Sequence, residues 1–362
     1  MFNTETRIGV CGAGAMGAGI AQVAAQAGHN VVVLDRDDAA LARGRESLQK
    51  GAAALLKRGK IDAAEADALV SRVSWTLDVG ALAGAGLVIE AIVEDAAIKH
   101  ALYVQLESVM DSSAVLATNT SSLSVSSLAE GLARPPQFLG LHFFNPAPIM
   151  KLVEVVSGVD SDPAIAAAAR ALMQRWGKVA VNARDVPGFI VNRVARPFYG
   201  EGWRALEEDA GDAATLDFLY RDLAGFRMGP LELGDLIGHD INSAAAQSIF
   251  DAYDGRTRFA PSPAQARLVA AGRLGRKSGR GVYDYSDDAE KPAPNFVETD
   301  RQSAPGMLAV GPDTAALQSL LKAAGIQFEM KQHIEPGFAE IDNVVVGFCD
   351  GRSAGALAAA FQ

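Results

Sequence analysis

The sequence predicts an α/β, Rossmann-type N-terminal domain with an inserted helix pair, followed by an all-α domain and a small partial α/β module. Three observations carry that prediction. The chain opens as strand, glycine turn, helix, strand and acid, from Arg7 to Asp35. At Asp185-Val186-Pro187-Gly188 the texture changes, and helical patterning then runs to about Leu274. From Ser286 to Ala304 the chain is acidic and Pro-containing, as a linker should be, and strand-like and helical segments alternate again beyond it. The expected divisions are 1–184, 185–285 and 286–362.

Arg7 to Cys11 reads as a fully buried strand, Gly12-Ala13-Gly14-Ala15-Met16-Gly17 as a turn, and Ile20 to Ala27 as a small-residue helix. Val31 to Leu34 is a second strand, closed by Asp35. Ala39 to Lys57 and Ala63 to Val70 are helical, separated by Gly59, with Asp62 as N-cap; a simple Rossmann fold has one crossover helix here. Leu87 to Ala91 and Val115 to Thr118 are strands around the helix Ala97 to Met110. Two strand-like runs follow, Leu141-His142-Phe143-Phe144 and Leu152-Val153-Glu154-Val155-Val156, joined by a short turn holding Pro146 and Pro148. Val179 to Asn182 is the last strand of the first domain.

Phe189 to Glu208 reads as one long helix kinked at Pro197, and helical segments continue with breaks at Gly229-Pro230 and Pro261-Ser262-Pro263. Beyond the linker, Met307 to Val310, Thr314 to Ala324, Ile326 to Met330 and Val344 to Phe348 read as strand, helix, strand, strand, with Gly325 as the helix stop. The chain ends in an Ala-rich helical run without a capping signal, so it reads as the front portion of a longer one.

The 362 residues are 49% hydrophobic, enough for a large core and more than one domain. A net charge of −10 gives no basic surface for nucleic acid or an anionic membrane. Cys11 and Cys349 are too far apart in sequence to suggest a disulfide framework or a metal cluster, so a reducing cytoplasm is expected and no metal. No basic and apolar leader precedes Ile8, and no apolar stretch is long enough to span a bilayer.

Gly12, Gly14 and Gly17 permit a tight turn, close approach of backbone to a pyrophosphate and close helix–strand packing. The helix that follows turns its N–H groups and positive dipole end toward phosphates. Asp35, 18 residues beyond Gly17, can accept both hydroxyls of an adenosine ribose and would repel a 2′-phosphate, which favours NAD over NADP. Arg36 weakens that preference slightly, and FAD stays open because its fingerprint begins in the same way.

His142 and Glu154 can lie side by side across the Pro turn. Removing a hydride from an alcohol carbon leaves a proton on oxygen, which an imidazole can take near pH 7. A buried carboxylate behind the ring would set its tautomer and stabilise the imidazolium. Alternatively, His142 is a satisfied core residue and Glu154 a solvated strand position; the apolar neighbours of Glu154 speak for a partnered acid.

These residues belong to a longer series of motifs: Ile89-Glu90-Ala91-Ile92-Val93-Glu94, Asn119-Thr120-Ser121-Ser122-Leu123, Gly140 to Pro146, Met150 to Glu154, Pro187-Gly188-Phe189-Ile190-Val191-Asn192-Arg193, Gly229-Pro230 and Lys277 to Tyr285. In this order they resemble the L-3-hydroxyacyl-CoA dehydrogenases of β-oxidation-type pathways, from about Arg7 to Tyr285. The resemblance implies reversible, NAD-dependent oxidation of an (S)-3-hydroxyacyl-CoA to a 3-oxoacyl-CoA. It implies His142 as base, Glu154 as its orienting partner, Ser121 on the reacting oxygen near the nicotinamide, and Asn192 binding substrate across the cleft. Alongside Gly12, Gly14, Ala15, Met16, Gly17 and Asp35, it implies cofactor contacts from Glu94, Lys99, Asn119, Ser121, Asn145 and Lys277. Bland readings remain, with Ser121 as a loop cap, Asn192 as a helix-face hydrogen bonder and Lys99 as a solvated charge. The helix pair is where the family places the CoA tail, so Lys57 and Arg58, with Lys60, are expected at its phosphates. A homodimer through the all-α domain is implied. The tail from Ser286 resembles that of longer bacterial members, including those of phenylacetate degradation, which continue into a second dehydrogenase-like region. A dehydrogenase of a free hydroxy or sugar acid, and a non-catalytic NAD-binding protein, are the alternatives.

Overall fold

Strands buried on both faces read as continuous runs of β-branched and aliphatic residues, and that is how the sheet begins. In the computed structural model β1 (Ile8–Cys11) and β2 (Val31–Leu34) are buried at every residue and flank α1 (Ala15–Gln26). The structure describes residues 1–295, 308–312, 314–323, 325–334, 337–341 and 344–347, in two compact units, 1–295 and 296–362.

The inserted pair is α2 (Asp38–Lys57) and α3 (Ala63–Ser71). In α2 the buried residues Leu41, Gly44, Leu48 and Ala52 recur at helical spacing and face α1. The α3 helix opens with a capping box in which Asp62 and Glu65 bond each other's backbone N–H groups. Then follow β3 (Val73–Thr76), β4 (Leu87–Glu90), α4 (Ala96–Val109), β5 (Val115–Thr118) and the short α5 (Val125–Ala129). Next come β6 (Phe138–Phe143), β7 (Leu152–Ser157), α6 (Pro163–Arg175) and β8 (Val179–Arg184). The sheet order is β3-β2-β1-β4-β5-β6-β7-β8, parallel except for the antiparallel β6–β7 pair. The sequence reading lacks β3. It is a half-polar edge strand with Val73 alone buried, so it carries neither an apolar run nor a clean alternation.

Successive strand residues enter opposite cores. Val10, Val33, Ile89 and Ala117 pack with Ile20, Leu48 and Leu172 on one face; Val32, Val88, Leu116 and Phe138 pack with Tyr103, Leu106 and Leu128 on the other. Cys11 lies in the second core, and burial pushes its thiol far up, which marks it as a packing residue. Strand order reverses between β1 and β4, so the crevice beyond their C-terminal ends is the expected ligand position.

The helical part comprises α7 (Val191–Glu207), α8 (Ala213–Phe218), α9 (Pro230–Ile237), α10 (His239–Ala252) and α11 (Pro263–Ala270). Its long first helix begins at Val191, not Phe189, because Gly188 and Phe189 both take left-handed backbone angles that end the preceding turn. Two buried acids close the domain. Asp217 caps α9 through the N–H groups of Leu231 and Glu232 and accepts from the Tyr283 hydroxyl; Asp235 accepts from Val282 N–H, Tyr283 N–H and the Tyr285 hydroxyl.

The second unit holds β9 (Leu308–Val310), α12 (Ala315–Ala323), β10 (Glu329–Met330), β11 (Phe338–Ile341) and β12 (Val344–Gly347), in sheet order β10-β9-β11-β12. It adds β11 to the expected series. Met307, Phe348, Cys349 and the Ala-rich end lie outside the described residues. Among the described residues no helix is long and apolar enough to cross a membrane.

Asp185, where the first unit turns from sheet to helices, accepts from Ser124 Oγ and from the N–H groups of Val125 and Ser126 at the start of α5. Asp185→Ala leaves those donors without their acceptor. It should cost about 1–2 kcal/mol, read as a lower urea midpoint with an unchanged slope.

Candidate active site

Antiparallel register sets His142 directly opposite Glu154. Nδ1 of the ring lies 2.6 Å from Oε2 of the carboxylate; Glu154 is fully buried and His142 is 5% exposed. The other carboxylate oxygen, Oε1, accepts the N–H groups of Ile190 and Val191, both at 2.9 Å, at the start of α7. A carboxylate only accepts, so the bond to it places a proton on Nδ1, and in the neutral tautomer Nε2 is the acceptor. Nε2 has no hydrogen-bond partner among the described residues. Phe144 and Phe189 face the ring at centroid distances of 4.4 and 5.6 Å.

Ser121 sits on the loop after β5, and an acid organises that loop. Glu94 Oε1 accepts from Thr120 Oγ1 (2.5 Å), Ser121 N–H (3.0 Å) and Ser122 Oγ (3.0 Å), while Oε2 lies 3.2 Å from the Lys99 ammonium. Burial raises the Glu94 carboxyl, but Thr120, the Lys99 charge, Ser121 and Ser122 together hold it below its usual 4.5. Lys99 is therefore not a solvated charge. It is 1% exposed, and its ammonium bonds Glu90 at 2.6 Å as well as Glu94. Glu90 is fully buried and also accepts from Ile92 N–H and the hydroxyls of Tyr103 and Thr118.

The glycine loop fits a dinucleotide phosphate. A Cβ on Gly12 would stand 2.5 Å from the Ala91 carbonyl oxygen, and one on Gly17 1.8 Å from the Gly12 carbonyl oxygen. Around Gly14 no atom beyond its chain neighbours lies within 4 Å of that position, and no side chain caps α1. The N–H groups of Ala15 and Met16 thus begin the helix beside open space, as a pyrophosphate site requires. Asp35 Oδ2 accepts from Ala13 N–H at 2.7 Å, which ties the acid after β2 to the loop.

The remaining expected residues divide by position. Asn119 closes β5 onto β6 through Oδ1 and the Phe143 N–H, and Asn145 is exposed just past β6. Asn192, in the first turn of α7, places Nδ2 3.4 Å from the Ser121 carbonyl oxygen, so Ser121 and Asn192 meet across the cleft. Lys57, Arg58 and Lys60 are exposed at the end of α2. Lys277 is ion-paired with Asp240 at 2.5 Å on the helical part. Among the described residues no group of His, Cys, Asp and Glu is placed to hold a metal ion.

Two residues escaped the sequence reading. Glu90 was detectable, since an acid ending a buried apolar strand needs partners just as Glu154 does. Lys178 gave no such signal: its buried ammonium donates to the carbonyls of Ala147 (2.5 Å) and Met150 (2.9 Å), holding the turn between the His142 and Glu154 strands. Burial lowers its pKa. The same turn packs on α1, since a Cβ on Gly19 would stand 3.1 Å from Pro148 Cδ.

The lowered Glu94 carboxyl makes a stability prediction. A depressed acid stabilises the fold above its ordinary pKa, and that contribution fades as pH falls through the folded value. The Tm gap between wild type and Glu94→Gln should be full at pH 7 and close below pH 4.5. Calorimetry from pH 7 to 3 would read it; a constant gap would show that the charge of Glu94 is immaterial to the loop.

Comparison with known proteins adds the following. Residues 7–186 match the NAD binding domain of 3-hydroxyacyl-CoA dehydrogenase, and residues 188–285 match the C-terminal domain of 3-hydroxyacyl-CoA dehydrogenase. The chain is 42% identical over 358 residues to the 3-hydroxyadipyl-CoA dehydrogenase of Escherichia coli (strain K12), covering 99% of this chain and 70% of that one. It is 38% identical over 279 residues to a probable 3-hydroxybutyryl-CoA dehydrogenase of Deinococcus radiodurans, covering 77% of this chain and all of that one. Its fold matches the crystal structure of an Escherichia coli K12 3-hydroxybutyryl-CoA dehydrogenase with a TM-score of 0.85 and 41% identity, over 99% of this chain and 71% of that one.

Proposed function

The chain belongs to the 3-hydroxyacyl-CoA dehydrogenase family, whose members oxidise a 3-hydroxyacyl-CoA with NAD, and we propose that here His142 is the base that takes the hydroxyl proton. The observation that carries this assignment is the 2.6 Å bond from the ring to a fully buried Glu154, which leaves Nε2 as an acceptor. When bound, NAD⁺ supplies the acceptor for the hydride leaving C3. Glu154 then balances the imidazolium, and the Ser121 hydroxyl bonds the reacting oxygen as it becomes a carbonyl. Asn192 holds the substrate from the α7 side. Closure of the helical part over the crevice would exclude water and strengthen these contacts.

For the cofactor, Gly12, Gly14, Ala15, Met16 and Gly17 would cradle the pyrophosphate and Asp35 the adenosine ribose. Glu94, Ser121, Asn119 and Asn145 would border the nicotinamide half, and Lys99 would act through Glu94. Lys277 would reach the cofactor on leaving Asp240. Lys57 and Arg58 are the proposed partners of the CoA phosphates; both are exposed cations at one helix end. Residues 1–184 would bind the cofactor, 185–285 the substrate and a second copy, and 286–362 would form a linker and module. Exposed Val194, Leu223, Phe226 and Ile241 on the helical part support a homodimer there. The free, buried Cys11 fits a cytoplasmic protein.

His142→Gln should cut acetoacetyl-CoA reduction about 10²–10⁴-fold while NADH still binds. Turnover at the wild-type rate would remove the base assignment. Asp35→Ala should weaken NAD binding and admit NADP; an unchanged NAD affinity would mean that the adenosine end is read elsewhere. The relatives' names differ in acyl chain, so kcat/KM should be compared for 3-hydroxybutyryl-CoA and 3-hydroxyadipyl-CoA. Activity on the free hydroxy acids, without inhibition by coenzyme A, would instead favour a free hydroxy-acid dehydrogenase.

A further inference from the structure

The glycine loop is crowded from outside its own motif. Ala13, 3% exposed, lies between Gly12 and Gly14, and Asp35 Oδ2 takes its N–H at 2.7 Å. Its carbonyl oxygen faces α2. A Cβ on Gly44 would stand 2.8 Å from that oxygen, and 2.7 and 3.1 Å from Cζ3 and Cη2 of the Trp75 ring on β3. Contacts below 3.0 Å force something to shift, and a backbone carbonyl is a poor candidate to give way.

A glycine in a helix interior costs stability relative to alanine, because it orders more backbone and packs nothing. The α2 helix carries two, Gly44 and Gly51, two turns apart and so on one face. Their surroundings differ. The three atoms nearest to a Cβ on Gly51 all belong to the carboxamide end of Gln22, which can turn aside. Gly44 meets a backbone oxygen and a ring instead. Nor can α2 easily back away there, because Leu41 and Leu48, 6% and 0% exposed, anchor it in the core on either side of Gly44.

We propose that Gly44 is a positioning residue for the dinucleotide: by presenting no side chain it lets the Ala13 peptide lie close against α2, and so sets the height of the loop that meets the pyrophosphate. The inference rests on the reading of Gly12 to Gly17 as the cradle of the cofactor. With a methyl group at position 44 the Ala13 carbonyl must move off α2. That carbonyl shares its peptide with the Gly14 N–H, which leads into the N–H groups of Ala15 and Met16 at the start of α1. The Ala13 N–H would turn too and loosen its bond to Asp35. Adenosine and pyrophosphate contacts would weaken together. Ser121, held by Glu94, and the His142–Glu154 pair, held by strand register, would keep their places.

The test measures ADP-ribose binding to the full chain by calorimetry, since this probe carries adenosine and pyrophosphate without nicotinamide. Gly44→Ala should weaken it about tenfold, and Gly51→Ala less than about twofold. In Gly44→Ala the KM for NADH should rise by the same factor, while kcat on acetoacetyl-CoA at saturating NADH stays within about twofold. Seating the indole is the competing role for Gly44. In a Trp75→Leu background that role vanishes and the carbonyl contact remains, so adding Gly44→Ala should still weaken ADP-ribose about tenfold. The same pair of chains serves if Gly44→Ala alone fails to fold. Equal ADP-ribose affinities with and without Gly44→Ala, in either background, would overturn the proposal. A wild type that fails to bind ADP-ribose would bring down the cofactor reading beneath it as well, and the missing wild-type signal tells the two failures apart.

Discussion

The geometry of the proposed base depends on how the Glu154 carboxylate is held inside the protein. Burying a carboxylate costs several kcal/mol unless donors replace its water. Here one oxygen faces the His142 ring, and the other receives two N–H groups from the start of α7. Those N–H groups would themselves be orphans of the helix end, and the positive end of the helix adds to the attraction. A single side chain thus satisfies a helix terminus and orients an imidazole. The left-handed turn at Gly188 and Phe189 aims those N–H groups at the acid, and Phe189 then covers one face of the ring.

A second buried acid does comparable work for the loop that carries Ser121. Glu90 accepts four bonds, two at each oxygen. One comes from Lys99, whose ammonium also meets Glu94. Glu94 in turn gathers Thr120, Ser121 and Ser122. Rigidity passes from the sheet, through a fully desolvated lysine, to the loop that carries Ser121. A solvated lysine at position 99 could not do this, because long exposed ion pairs are screened and poorly oriented.

The parts of this protein legible in the sequence are those where one residue type answers one physical demand. Gly12 and Gly17 are needed because a Cβ would strike backbone oxygen, and buried strands such as Val31–Leu34 announce themselves by composition. The face-to-face placement of His142 and Glu154 was readable because a short turn leaves two strands little choice but to pair. What stayed hidden is what depends on distant chain. The anchoring of Glu154 by Ile190 and Val191 joins residues 36 and 37 positions apart. Lys178 reaches back to the carbonyls of Ala147 and Met150, which no side-chain pattern encodes. The edge strand Val73–Thr76 lacked an apolar run because one neighbour and half-exposed faces suffice for it.

Among the described residues two histidine–carboxylate pairs share the same 2.6 Å separation, and comparing them shows what the distance alone leaves undecided. His239 and Asp235 are both fully buried, and the second ring nitrogen, Nδ1, lies 3.2 Å from the Gln265 amide. Asp235 also gathers Val282, Tyr283 and Tyr285, so that pair is a joint that fastens the Lys277 to Tyr285 run to the helices. Every polar atom of the imidazole is engaged, and Trp203 packs edge-on against the ring. In the His142 pair the carboxylate takes Nδ1 alone and Nε2 stands without a protein partner on a ring that is still 5% exposed. A base needs one nitrogen held and the other available. That difference in satisfaction, not the strength of the bond to the acid, separates the proposed proton acceptor from a structural tie.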